Sequence, residues 1–121
     1  MGVRTVRFGG RIGALLDPAT RVRVTPNCFG EAQLHAADGT EDTAEAAAKQ
    51  VLVNHFSIAL ERAATSSGSL LKALSSVPAL IEATTAGANA ELERQGAKVV
   101  IGSLSVNLSE DDRAALKNAK K

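Results

Sequence analysis

Between Arg21 and Ala36 the chain alternates. Val22, Val24, Cys28, Ala32, Leu34 and Ala36 share one parity, and Arg21, Arg23, Thr25, Asn27, Glu31, Gln33 and His35 share the other. Successive side chains of a strand point to opposite faces, so the run predicts an antiparallel strand with one buried and one wet face. Pro26 has no N–H to give to a ladder and predicts an edge or a bend. Phe29 falls on the polar parity beside Gly30, where it is expected either to serve a neighbour or to be turned inward by a bulge at Asn27–Gly30. Upstream, VRFGGRIGALL reads as a second strand, with Gly9 and Gly10 expected at a bulge or bend. Asp17-Pro18-Ala19-Thr20 joins the two, because proline presets φ and aspartate can close an Asx turn.

The period then changes to that of a helix. Ala48, Val51, Leu52, His55, Phe56, Ala59, Leu60 and Ala63 recur on one face. Asp42-Thr43-Ala44-Glu45 has capping-box spacing and predicts the helix start, and Thr65-Ser66-Ser67-Gly68 predicts its end. A short turn from Ser69 to Leu74 leads to a second long helix starting near Ser76. Pro78 is tolerated in its first turn, and Val77, Leu80, Ile81, Thr84, Ala88 and Leu92 lie on one side. Gly96 predicts a left-handed cap.

The segment KVVIGSLSVNL reads as a strand, apolar first on both parities and then at Leu104, Val106 and Leu108. Ser109 with Asp112 predicts a last helix, with Glu110, Asp111 and Asp112 at its positive end and Lys117, Lys120 and Lys121 at its negative end. The predicted class is α+β: a mostly antiparallel sheet, two long helices packed on one face, and a C-terminal helix leading away. Residues 1–121 suit one domain, either minimal or cut from a longer chain.

Composition narrows the function classes. The only aromatics are Phe8, Phe29 and Phe56. That leaves few stacking platforms and argues against a nucleic-acid partner. The net charge of +1 supplies no global field, but Arg4, Arg7, Arg11, Arg21 and Arg23 face only Asp17 among the first 29 residues. This region is expected to be a wet strand face that could meet anionic lipid or an acidic partner. One cysteine excludes an internal disulfide and fits a reducing, cytoplasmic setting. No apolar run approaches the roughly 20 residues of a membrane span, and no secretory leader is evident.

No constellation points to catalysis. Cys28 shares parity with core residues and reads as a small buried hydrophobe. His55 sits on the apolar helical face and His35 on the wet strand face. With Cys28 they form no close-spaced ligand pair, so no metal is expected. Glu110-Asp111-Asp112 lacks the alternation of a calcium loop, and FGGRIG lacks the Gly-Lys-Ser/Thr of a phosphate loop. No enzyme activity, catalytic residue or cofactor is expected.

Three segments resemble a known family. VRFGGRIGALLDPATRVRVTPNCFGEAQL, ending at Leu34, is similar to the start of a stomatin–prohibitin–flotillin (SPFH, or band 7) domain, most of all its soluble bacterial, virion-core-like branch. AKQVLVNHFSIALER resembles the family's first long helix. ELERQGAKVVIGSLSVNLSEDDRAALKNAKK, residues 91–121, resembles its closing helix, strand and acidic helix start. The chain departs from the family at AADGTEDTAEAA, which enters the helix without the usual longer apolar segment.

The resemblance implies a non-enzymatic scaffold that self-associates into a homo-oligomer and organises other proteins, in the cytoplasm or peripheral to the inner face of a membrane. The expected interaction surface comprises Arg4, Arg7, Arg11, Arg21, Arg23, Phe29 and Leu116. The expected partners are further copies of the chain, a protein partner and an anionic membrane surface. The alternative is a small monomeric cytosolic adaptor for a single protein partner.

Overall fold

The alternating run breaks at Pro26. In the computed structural model, which describes residues 2–119, it forms β3 (Arg23–Val24) and β4 (Asn27–Ala36). The upstream strand also divides, into β1 (Gly2–Arg11) and β2 (Leu15–Leu16). β2 and β3 form a small hairpin closed by the Asp17 turn, where Asp17 N–H donates to Val22 O at 2.9 Å and Arg21 N–H to Asp17 O at 2.7 Å.

The main sheet has the order β1-β4-β5, with β5 spanning Lys98–Asn107 and both pairings antiparallel. The parity reading holds in β4: Cys28, Ala32, Leu34 and Ala36 are buried, whereas Phe29, Glu31 and Gln33 are exposed. The expected irregularity at Gly9 and Gly10 produces no register shift, since both pair in step with Phe29 and Cys28. The shift occurs instead on β5. Glu31 pairs with Ser103 and Ala32 with Ile101, so Gly102 is the extra residue. One added residue reverses the side-chain parity. This is why Val99 and Ile101 are buried before the bulge and Leu104 after it.

α1 (Glu41–Ser67) lies against β1 and β4, and α3 (Val77–Leu92) lies against β5. The two helices pack on each other as an antiparallel pair. α2 (Leu70–Leu74), a helix of five residues where a turn was expected, connects them. The expected capping box is displaced. Thr40 is the N-cap of α1 with its hydroxyl on Ala37 O, and Asp42 lies inside the first turn. Gly68 ends α1 and Gly96 ends the 3-10 turn Glu93–Gln95 after α3, both in the left-handed region as expected. Val6, Phe8, Leu34, Leu52, Phe56, Leu60, Leu80, Leu92 and Val99 form the centre of one apolar cluster between sheet and helices.

α4 (Glu110–Ala119) starts as predicted, with Asp112 N–H donating to Ser109 Oγ at 3.1 Å. The helix is tied back to the domain: Thr25 N–H donates to Asp112 Oδ2 at 3.1 Å, and Leu116 is only 1% exposed. Lys117 lies in its last turn, while Lys120 and Lys121 fall outside the described residues.

Candidate interaction surface

Only one face of the main sheet is covered. The other carries Val3, Thr5, Arg7 and Arg11 from β1, Phe29, Glu31, Gln33 and His35 from β4, and Val100, Ser103 and Ser105 from β5. Val3 (57%), Phe29 (52%) and Val100 (49%) are its exposed apolar side chains.

Strand parity puts Phe29 on this open face, and the residue across from it leaves room for the ring. A Cβ on Gly9 would overlap the Cys28 carbonyl and press on the Phe29 ring, so the ring lies over a bare backbone. The inner face has the reverse arrangement, with the Phe8 ring over Gly30. Each aromatic thus covers the glycine directly opposite it, a cross-strand pairing that compensates for the glycine's missing side chain.

The five arginines do not form one surface. Arg4 sits on the inner parity of β1, beside α1, where its Nη1 meets Asp42 Oδ1 at 2.6 Å and Glu45 Oε1 at 3.9 Å. The hydrogen bond to Asp42 raises its already high pKa, against a smaller opposing effect of desolvation. Arg7 pairs with Glu31 across the strands at 3.1 Å. Arg11 is exposed on the open face. Arg21, with a left-handed φ of 62°, and Arg23 belong to the hairpin. There they line a hollow of about 520 Å³ with Leu16, Pro18, Glu61 and Thr65. Acids from the 16 residues that follow the first 29 thus offset two of the five cations in space, Arg4 and Arg7. Leu116 also leaves the expected surface, because α4 folds back and buries it.

Asp17, taken from the sequence as a turn residue, has a second role. It is 1% exposed, and its Oδ1 accepts the Leu70 N–H at 2.8 Å at the start of α2 while Oδ2 accepts the Thr20 hydroxyl at 2.6 Å. Burial pushes this carboxyl up. The hydrogen bonds from Leu70, the Thr20 hydroxyl and the Ala19 and Thr20 amides outweigh it, and the net shift is downward.

The titratable groups considered as metal ligands lie apart. Cys28 is fully buried under the helices, and burial raises its thiol pKa. His35 is on the opposite sheet face. His55 sits between the helices with Nε2 2.8 Å from Glu91 Oε2, its ring against Gly87. Among the described residues no group of three or more His, Cys, Asp or Glu side chains is placed to hold a metal ion.

Two features escaped the sequence reading. One is an apolar groove of about 690 Å³ between α1 and α3, lined by Ile58, Ala59, Ala63, Leu80 and Ala83, with Arg62 at its rim. Its small residues were legible only as helical spacing. The other is Asn89 of α3, whose side-chain amide bonds both backbone groups of Val99.

No family model matches the chain, and neither a curated protein nor a solved structure matches it. Among the described residues no helix is long and apolar enough to cross a membrane.

Proposed function

We propose that this chain is a non-enzymatic assembly module that self-associates and organises other proteins. The observation that supports this reading is the half-covered sheet. Its helices pack on one face, the other face carries Val3, Phe29 and Val100 in the open, and β1 and β5 are both edge strands. Exposed edges and apolar side chains on a small domain are features that intermolecular contacts bury. The resemblance to SPFH domains points the same way. Sedimentation velocity over a range of concentrations is the test: a rising weight-average mass is expected, and a constant monomer mass would overturn the proposal.

A membrane-peripheral form of this function rests on the hairpin, where exposed Leu16 neighbours Arg21 and Arg23. Flotation with anionic vesicles is expected to weaken with salt and on replacing both arginines by alanine. Equal recovery with neutral vesicles would remove the membrane element. The adaptor reading is favoured by the α1–α3 groove, and it gains if the chain stays monomeric while Ala83→Lys abolishes capture of a protein partner.

A further inference from the structure

The two edges of the main sheet are protected differently. The β1 edge carries Arg4, Arg7 and Arg11 along its length. Charge is a device that discourages an edge from pairing with another chain. β5 contains no carboxylate, no proline and one cation, Lys98, at its first position.

Part of this edge is closed from within. Asn89 Nδ2 donates to Val99 O at 3.1 Å and Asn89 Oδ1 accepts from Val99 N–H at 2.8 Å. In an antiparallel ladder a residue turns both backbone groups to the same side. Val99 therefore faces away from β4, and the amide of Asn89 stands where a further strand would lie. Beyond it, from Ile101 to Asn107, no side chain or loop among the described residues makes a hydrogen bond to the outer edge.

We propose that residues 101–107 of β5 pair antiparallel with the same residues of a second copy, joining two three-stranded sheets into one of six. This rests on the reading of the chain as a self-associating module and names the contact it uses. An extended backbone edge is recognised by another through main-chain hydrogen bonds. A two-fold axis near Leu104 or Ser105 brings Ser103 and Ser105 of the two copies together on the open face and sets no like charges opposite each other. On β1 the same operation places arginine against arginine when its axis falls at Arg7 or Gly9, which is destabilising. Pairing β5 with β1 of another copy has no two-fold axis, so it continues into rings or filaments instead of closing at two. Seven residues of strand bury less than the roughly 1,200 Å² of a stable interface, so the dimer is a weak one, to be sought at concentrations from about 10 μM to 1 mM.

Sedimentation equilibrium across that range, with hydrogen exchange at its two ends, tests the proposal. A monomer–dimer equilibrium is expected, and amides within residues 101–107 gain at least about tenfold protection at high concentration. Ser103→Lys with Ser105→Lys, both at exposed positions, should weaken the dimer at least about tenfold, whereas Thr5→Lys on β1 leaves it unchanged. A dimer indifferent to the β5 lysines, assemblies larger than two, or protection gained on β1 would overturn the β5 contact and leave self-association standing. A monomer throughout would overturn both.

Discussion

The side-chain amide of Asn89 makes two backbone hydrogen bonds to a single residue, Val99, at 2.8 and 3.1 Å. It fastens α3 to β5 and closes one end of a sheet edge. Each such bond contributes about 0.5–1.5 kcal/mol. Asn89→Ala is therefore expected to lower the free energy of unfolding by about 1–3 kcal/mol, read from urea denaturation, and to increase self-association by lengthening the free edge. A variant as stable as the parent would show that water replaces the amide without loss.

Asp17 makes stability depend on acidity. Its folded pKa lies below the unfolded value of about 3.9. The stability it contributes is thus fully present above that value and is lost as pH falls through the folded pKa. Asp17→Asn should be less stable than the parent at pH 7, and the gap should close below about pH 4. Unfolding midpoints measured at several pH values check this, and a gap that stays constant would assign the role to shape instead of charge.

Gly87 and His55 are coupled across the helix pair. A Cβ at position 87 would overlap the imidazole, which must move and lengthen its contact with Glu91. Gly87→Ala is expected to destabilise the fold although alanine is the better helix former by about 1 kcal/mol. In a His55→Ala background the same change should become stabilising. A double-mutant cycle measures the coupling directly, and strict additivity would refute it.

Thr84 is fully buried, and its hydroxyl has no hydrogen-bond partner among the described residues. Thr84→Val keeps the shape and removes the unsatisfied group. A rise in stability of about 1 kcal/mol is expected in thermal or urea unfolding. A loss of similar size would reveal a partner, such as ordered water, for this hydroxyl.

Leu116 anchors α4. A ten-residue helix is marginal alone in water, so its amides should be protected only while the leucine is seated. Exchange at Leu116 is expected to be slow in dilute solution and independent of protein concentration. Leu116→Ala should release the helix and cost about 2–3 kcal/mol. Protection that appears only at high concentration would mean that a second copy holds the helix.

The sequence by itself determined the α+β class, the buried parity of β4, the apolar faces of α1 and α3, the glycine caps and the Ser109 start of α4. Each is set by residues within one or two turns or a few strand positions, where periodicity and local backbone chemistry suffice. Only the tertiary structure decided which charges meet. Arg4 is neutralised by Asp42, 38 residues away, and Asp17 serves Leu70, 53 residues away. Pairings at that separation leave no periodic trace. The same holds for Leu116, whose burial depends on where Thr25 can reach Asp112, and for Asn89, one polar residue on a helix until the Val99 edge is placed beside it. Gly102 belongs with these cases: the segment read simply as a strand, and only pairing with β4 fixed that a residue was extra and which one, because a bulge exists in the register between two strands and not in either one alone.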